Sequence, residues 1–308
     1  GEKTVSNHAI SVKQRIYARR RGSLRHRIRK IKPSRVLIHI FMILLVLFTS
    51  LPLVYLVSTA FKPLDELYIF PPRFLAMRPT FQNFSSLFTA LSSTEVPFTR
   101  YVYNSVLVSV LTVFGTVMIS SMGAFGLVKY KPPCADFIFN LVVAALMFPT
   151  EVTQIPSYMV VNKLHLINTY ASLIIPKLAV AYNLFLMKQF IEQTPDELIE
   201  SAKIDGAKPF MIYWKIILPL LKPAVFTLIV FAFQSSWNDY FSPLVYITSE
   251  AMKTMPLAIQ TISGGTTDLS RAGAVAAASL VTIIPTILVF LIMQSGVIET
   301  MAYSGIKA

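Results

Sequence analysis

The sequence predicts an all-α membrane protein with six transmembrane helices. Of its 308 residues, 54% are hydrophobic and only 14% are charged, a balance far from that of a soluble globular domain. Three long windows contain no charged residue, namely 36–61, 101–128 and 272–298. A helix that crosses a bilayer needs about 20 mostly apolar residues, because the hydrocarbon core is about 30 Å thick. Each window is therefore predicted to be one span.

Three further windows are weaker, because they are shorter or carry a single charge. They are residues 137–152, 170–187 and 223–240. The segments predicted to lie outside the membrane are rich in proline, serine, threonine and glycine, which favours turns over additional spans. The predicted number of spans is therefore six.

The positive charge of the chain is concentrated at its N-terminal end. Residues 1–35 hold 12 of the 28 lysines and arginines against one acidic residue, Glu2. A basic segment directly before an apolar span is typical of the cytoplasmic side of a membrane, where it also contacts anionic lipids. Nucleic-acid binding is disfavoured because no aromatic stacking platform accompanies the basic residues. We predict a cytoplasmic tail, 1–35, and a membrane domain, 36–308.

The number of spans also predicts the side on which each connecting segment lies. An even number returns the C-terminus to the side of the N-terminus, so both termini are predicted to be cytoplasmic. Segments 129–136 and 188–222 are then cytoplasmic as well. The segments predicted to lie outside are 62–100, 153–169 and 241–271.

The chain carries no recognisable catalytic or metal-binding motif. Its single cysteine, Cys134, excludes a disulfide framework within the chain, and its four histidines lack the spacing of a zinc site. The sequence has no phosphate-binding G-x-x-x-x-G-K-[ST] loop, no H-E-x-x-H and no G-x-S-x-G. We therefore predict no catalytic residue, no metal site and no cofactor bound by this chain.

The predicted cytoplasmic segment 188–222 contains unusually complete signals for a helix. Thr194 and Glu197 have the spacing of a capping box, and Pro195 suits the first helical position. Asp196 places a negative charge near the positive end of the helix. Gly206 is placed to end the helix in a left-handed conformation. A helix is therefore predicted from Pro195 to the residues just before Gly206.

A second short helix is predicted from Pro209 until Pro219 disfavours its continuation. The result is a bent helical pair whose first helix has an apolar side and a charged rim, as a helix that docks in a partner's groove has. A solvated loop with a well-capped helix explains the same residues equally well. The residues predicted to form the apolar side are Leu198, Ile199, Ala202 and Ile204.

Three short runs in this loop carry a family resemblance: Glu200-Ser201-Ala202, Asp205-Gly206-Ala207 and Ile216-Ile217-Leu218-Pro219. They closely resemble the EAA motif of binding-protein-dependent ABC importer permeases, with Ser201 in place of the usual first alanine. The resemblance implies a type I ABC importer permease fold. It also implies that the first helix is a coupling helix that sits in a cleft of a nucleotide-binding subunit. The ATPase-coupling residues it implies are Glu197, Glu200, Ser201, Ala202, Asp205, Gly206 and Ala207.

Other runs resemble the carbohydrate subgroup of that family, and within it the maltose-type second permease. They include Trp237-Asn238-Asp239-Tyr240, Pro243-Leu244 and the ending Tyr303-Ser304-Gly305-Ile306-Lys307. The resemblance implies a sugar importer, for an oligosaccharide, in a bacterial cytoplasmic membrane. The partners implied are a second, similar permease, two ATP-binding cassette subunits that hold ATP and Mg²⁺, and an extracellular or periplasmic solute-binding protein. We expect segment 241–271 to contact that binding protein.

Two alternatives to a sugar importer stay open. The first is an ABC importer permease for another solute, because related loops occur in such permeases. The second is an ion-coupled secondary transporter, which would normally place carboxylates at membrane depth. Only Glu151 and Asp239 lie near the ends of predicted spans, which disfavours that class. Neither the sugar nor the ATPase that the chain recruits is predicted.

The predicted substrate path combines aromatic faces with side chains that donate and accept hydrogen bonds, as sugar sites do. Lys177 is the only charge well inside a predicted span. An ammonium at that depth either faces a functional path or is neutralised by a partner such as Glu151 or Asp239. The aromatic candidates are equally explained as anchors at the membrane surface. The candidate residues are Lys177, Tyr182, Asn183, Gln234, Trp237 and Asn238.

Overall fold

A computed structural model describes residues 33–92, 96–263 and 269–305, and the regular secondary structure in these ranges is helical, with no β-strand. The predicted tail lies almost entirely outside the described residues, as do Ile306 and Lys307. The helices are α1 Pro33–Phe61, α2 Leu64–Leu67, α3 Gln82–Ser92, α4 Phe98–Phe125, α5 Ala135–Ala145, α6 Thr150–Lys163, α7 Tyr170–Leu178, α8 Ala181–Glu192, α9 Glu197–Ile204, α10 Pro209–Ile212, α11 Leu218–Leu220, α12 Lys222–Trp237, α13 Phe241–Tyr246, α14 Met255–Ser263 and α15 Leu269–Gly305.

The chain divides into two compact units, residues 1–55 and 56–308. The described part of the first unit is the larger part of α1. Its apolar side chains are exposed along the helix, as in Leu44 and Phe48, which is the surface that a lipid-facing segment presents. The second unit contains α2 to α15 and all of the packing considered below.

Three helical segments are long and apolar enough to cross a membrane unaided: Arg35–Phe61, Phe98–Tyr130 and Ala272–Thr300. They coincide with the three charge-free windows. The remaining three predicted spans are bent pairs, α5 with α6 at 115°, α7 with α8 at 43°, and α10–α11 with α12 at 82°. Six spans result if each pair is counted as one.

The third predicted span differs most from the straight helix expected over 137–152. Helix α5 ends at Ala145, and Pro149 precedes α6, which turns away by 115°. At a rise of about 1.5 Å per residue, α5 is only about 16 Å long and cannot cross the membrane alone. Pro149 lacks the backbone N–H needed to continue α5, which explains why the window 137–152 does not form one helix.

Contacts between connecting segments agree with the prediction of which segments lie on the same side of the membrane. Lys129 and Asp196, from the two segments predicted to be cytoplasmic, form an ion pair of 2.6 Å. Two of the predicted outer segments also meet, because the Oδ1 atom of Asn168 accepts hydrogen bonds from the backbone N–H groups of Thr248, at 3.2 Å, and Ser249, at 2.9 Å. These contacts group the segments by side without fixing which side is cytoplasmic.

Helices α12 and α15 pack closely where Gly296 faces Phe226. A Cβ atom added at Gly296 would lie 2.5 Å from Cδ2 of Phe226 and 2.7 Å from its Cβ atom. Replacing Gly296 by alanine is therefore expected to lower stability by about 1–3 kcal/mol, the usual cost of overpacking. The apparent melting temperature of the purified protein in detergent measures this. Gly126→Ala is the control, since no atom lies within 4 Å of its added Cβ. An unchanged melting temperature for Gly296→Ala would contradict the packing.

Candidate coupling surface and substrate cavity

Helix α9 begins at Glu197, two residues later than Pro195, and the predicted capping box is wrong. Asp196 is the N-cap residue, and no side chain caps the helix. The ammonium of Lys129 instead donates hydrogen bonds to the carbonyl oxygen of Thr194, at 2.7 Å, and to Oδ1 of Asp196, at 2.6 Å. Lys129, which is distant in sequence, therefore contacts Thr194 and Asp196 at the helix start where local spacing had predicted a capping box.

The end of α9 is formed as predicted. Gly206 has a φ of +78°, in the left-handed region that side chains disfavour. Its N–H donates to the carbonyl of Lys203 at 3.0 Å, and the N–H of Ala207 donates to the carbonyl of Ala202 at 2.9 Å. This pair of bonds is a Schellman motif, which satisfies carbonyls at the end of the helix.

The second helix of the loop is also confirmed. Pro209 occupies its first turn, and helical structure continues through a π-helical turn, Tyr213–Ile217, to Leu220. The π turn lies just before Pro219, which has no N–H to donate to a carbonyl one turn earlier. The bent helical pair predicted for 195–219 is therefore present.

The apolar side of α9 is narrower than predicted. Ile199 and Ala202 are buried in the core of the second unit, whereas Ile204 is 87% exposed and Leu198 is also exposed. Ala202 is only 8% exposed, so the structure does not place it on the outer surface where coupling would require it. Among the other implied coupling residues, Ala207 is half-buried. The exposed ones are Glu197, Glu200, Ser201, Asp205 and Gly206.

The outer surface of the loop also includes apolar residues that the sequence analysis missed. Phe210 is 63% exposed, and Met211 is exposed beside it. We call these two residues and Ile204, which lie on either side of the turn at Gly206 along the chain, the apolar patch. The signal was a run of large apolar and aromatic residues, Phe210 to Trp214, directly after Pro209.

The charge around Asp196 favours its ionised form. The hydrogen bond from Lys129, followed by the positive charges of Lys129, Lys131 and Lys203, holds the pKa of the Asp196 carboxyl below its usual value. A carboxyl whose pKa is lowered in the folded protein contributes stability above its unfolded pKa, and loses it as the pH falls through the lowered pKa. The Asp196 carboxylate is therefore ionised throughout the physiological range.

A cavity of about 300 Å³ lies among α4, α7, α8 and α12. Three of the predicted substrate-path residues, Lys177, Tyr182 and Asn183, line it together. The remaining lining residues are Thr112, Thr116, Val180, Phe231, Ala232 and Ser235.

The other three predicted path residues are not part of the cavity lining. The indole of Trp237 is 4% exposed, donates a hydrogen bond from Nε1 to the carbonyl of Thr282 at 3.0 Å, and stacks on Phe233. Trp237 thus packs between α12 and α15, and its assignment to the substrate path stays a prediction. The side-chain amide of Asn238 donates a hydrogen bond to the carbonyl of Gln234, and both residues lie at the C-terminal end of α12.

Lys177 both lines the cavity and pairs with Asp239. Its Nζ atom lies 2.6 Å from Oδ2 of Asp239, and the two side chains are only 15% and 14% exposed. The carbonyl of Ser235 is 3.4 Å from the same Nζ. Oδ1 of Asp239 accepts the N–H of Ser242 at 3.0 Å. The two interpretations of Lys177 are therefore compatible, with Asp239 as the partner that neutralises it.

Two threonines in the cavity wall were missed by the sequence analysis. Thr112 and Thr116 are 1% and 0% exposed, and their hydroxyls have no hydrogen-bond partner among the described residues. A buried hydroxyl without a partner is costly, so such groups point to a missing ligand or partner. The available signal was a row of small polar residues at helical spacing within a charge-free span. The row comprises Ser105, Ser109, Thr112, Thr116 and Ser120.

Comparisons with known proteins agree with this arrangement. Residues 115–295 match a family described as binding-protein-dependent transport system inner membrane component. The chain is 31% identical, over 83% of its length and 90% of the relative, to an arabinooligosaccharides transport system permease protein of Halalkalibacterium halodurans. It is 32% identical, over 83% of its length and 92% of the relative, to an sn-glycerol-3-phosphate transport system permease protein of Yersinia enterocolitica.

The fold is also found in a solved structure. A chain of a bacterial ABC transporter involved in the import of the acidic polysaccharide alginate matches with a TM-score of 0.73 and 21% sequence identity. The match covers 86% of this chain and 98% of that chain. The six-span arrangement with bent pairs is therefore a fold shared with an ABC importer.

Proposed function

The chain belongs to the family of binding-protein-dependent transport system inner membrane components, and from this premise we propose that it forms half of a translocation path for sugars, including oligosaccharides. The named permease relatives serve arabinooligosaccharides and sn-glycerol-3-phosphate. Arabinooligosaccharides carry many hydroxyl groups, and sn-glycerol-3-phosphate carries two beside its phosphate. A path for them needs donors and acceptors beside apolar surface.

The cavity among α4, α7, α8 and α12 carries this proposal. It offers the Lys177 ammonium, the Asn183 amide and two hydroxyls, those of Thr112 and Thr116, that lack partners in the described structure. The ring of Tyr182 lies at the same wall, 5.9 Å from that of Phe231. Substrate hydroxyls would satisfy the threonines, and the rings would cover the apolar faces of a sugar.

Energy would come from two partner ATPase subunits, which bind ATP and Mg²⁺, while this chain binds neither. The surface that supports this assignment is the apolar patch of Ile204, Phe210 and Met211 beside the charged residues of α9. Closure of the ATPases would move α9, and rotation of the spans would open the cavity to alternate sides. A second, similar permease would form the other half of the path.

The proposed setting is a bacterial cytoplasmic membrane, with both termini and the 188–222 segment in the cytoplasm. The basic residues of the N-terminal tail support this orientation through the positive-inside rule. An external solute-binding protein would then meet the side that carries 241–271. A non-sugar solute is the second candidate, favoured by the relatives that serve sn-glycerol-3-phosphate and by the Lys177 ammonium in the cavity.

Replacing Thr112 and Thr116 by valine tests whether the cavity holds substrate. Valine is nearly the same size, so removal of a hydroxyl without a partner should leave stability unchanged or slightly higher. Uptake should fall about three- to tenfold per hydroxyl, since each lost substrate hydrogen bond is worth about 0.5–1.5 kcal/mol. Uptake of the cognate solute and the apparent melting temperature of the purified complex are the two measurements.

The matched control is Thr282→Val. The Thr282 hydroxyl already donates to the carbonyl of Ala278 in its own helix, and the residue is outside the cavity lining. Full uptake by the Thr112→Val/Thr116→Val double variant would overturn the assignment of this cavity to substrate.

A further inference from the structure

The cytoplasmic end of the second span is joined to the start of the coupling helix. Helix α4 continues into a π-helical turn, Gly126–Tyr130, and the Lys129 side chain in that turn is only 5% exposed. Its ammonium donates to Thr194 and Asp196, the residues directly before α9. A buried ammonium with two oxygen acceptors holds its neighbours in one arrangement, since leaving it unpaired would be costly.

The same turn also contacts the far end of the coupling helix. The ammonium of Lys203 lies 5.5 Å from the centre of the Tyr130 ring, a distance at which a cation and an aromatic face attract. Helix α9 is therefore held near both of its ends by Lys129 and Tyr130, which are adjacent in the chain.

The second helix of the loop is fastened to α4 as well. The hydroxyls of Tyr213 and Ser121 are 2.6 Å apart, and the ring of Tyr213 lies 5.8 Å from that of Phe125. Tyr213 is almost fully buried. Both helices of the loop are thus attached to the last two turns of the second span.

Both covalent routes from the loop to the cavity are interrupted. On one side the chain leaves α9 through residues 193–196, which are not helical, and enters α8; on the other it passes from α11 into α12 through a bend of 82° at Leu221. By contrast, α4 and its π turn form one helical segment from Phe98 to Tyr130. That segment carries Thr116 and Thr112 into the cavity wall, about 20 Å and about 26 Å from Lys129 at about 1.5 Å per residue. A continuous helix transmits a displacement of its end, whereas a bent junction can absorb it.

We infer that α4, held through Lys129, is the element that transmits movement of the coupling helix to the substrate cavity. Lys129 is then a positioning residue that acts through α4, and it touches neither the substrate nor ATP. The inference rests on the proposed coupling role of α9. It adds a route and a residue that the family membership does not assign.

The test uses the complete complex, co-expressed with its partner subunits, and compares Lys129→Met with Lys129→Arg. Methionine keeps the length of the side chain but cannot donate, while arginine can reach both acceptors. Uptake per ATP hydrolysed should fall at least tenfold in Lys129→Met and stay within about threefold of normal in Lys129→Arg. Co-purification of the ATPase subunits and basal ATP hydrolysis should change less than twofold. Lys188→Met is the control, because the partners of Lys188 among the described residues, the Glu192 carboxylate and the Phe139 ring, lie on α8 and α5.

Three results separate the possibilities. Normal uptake by Lys129→Met would overturn the inference. Loss of the ATPase subunits from Lys129→Met and also from Lys129→Gln, with assembly normal in Lys129→Arg, would show a role in assembly only and would overturn it too. If no ATPase subunit co-purifies with the unaltered chain, the proposed function itself fails.

Discussion

Replacing Gly206 by valine is expected to lower uptake at least tenfold while leaving the chain inserted in the membrane. Gly206 adopts a φ of +78°, and a left-handed conformation costs an ordinary residue about 1–2 kcal/mol, with a β-branched side chain at the unfavourable end. A change of backbone conformation that relieved this strain would break the two hydrogen bonds that end α9 and would reorient Ile204. Solute uptake, together with ATP hydrolysis stimulated by the solute-loaded binding protein, measures the effect.

The control for this variant is Gly206→Asn, because asparagine tolerates the left-handed conformation better than other side chains. No atom lies within 4 Å of a Cβ added at Gly206, so the effect of valine would come from backbone conformation and not from a clash. Asparagine should therefore retain most of the uptake. Retained substrate-stimulated ATP hydrolysis in Gly206→Val would refute the assignment of this loop to coupling.

Replacing Lys177 by methionine is also expected to lower uptake at least tenfold. The change removes the only charged side chain among the described residues that line the cavity and leaves Asp239, which is 14% exposed, without its cation. Breaking a buried ion pair from one side costs about 3–5 kcal/mol. A fall in the apparent melting temperature should therefore accompany the loss of uptake.

The double variant Lys177→Met/Asp239→Asn separates the two consequences. It removes both charges, and asparagine keeps an oxygen that can accept the N–H of Ser242, so the melting temperature should recover. Uptake should stay low, because the cavity still lacks its ammonium. Recovery of uptake along with stability would show that the ion pair has a structural role only.

Local sequence signals predicted the parts of the coupling loop that local chemistry determines. Gly206 ends α9 because a left-handed residue is needed there, and Pro209 begins the next helix because its missing N–H would be unused in the first turn. The predicted capping box does not form, and the contact found at this helix start is from Lys129, more than 60 positions away, to the Thr194 carbonyl and the Asp196 carboxylate. The spacing of Thr194 and Glu197 along the sequence contains no information about Lys129.

The cavity could be predicted only in part, for a different physical reason. Lys177, Tyr182 and Asn183 stood out by residue type, but Thr112 and Thr116 became candidates only once the rotation of α4 was known. Trp237 is of a residue type common in sugar sites, yet its indole N–H donates a hydrogen bond to a carbonyl of α15. Within a buried bundle, packing between helices decides which face of each helix meets the cavity.

Transport by purified, reconstituted components tests the central claim most directly. The chain and its co-expressed partner subunits would be placed in sealed liposomes, with the solute-binding protein and labelled arabinooligosaccharide or sn-glycerol-3-phosphate outside. The account predicts accumulation of one of these solutes that requires both the binding protein outside and ATP inside, and that Gly206→Val abolishes. Accumulation driven by a proton or sodium gradient, without ATP and without the binding protein, would contradict it.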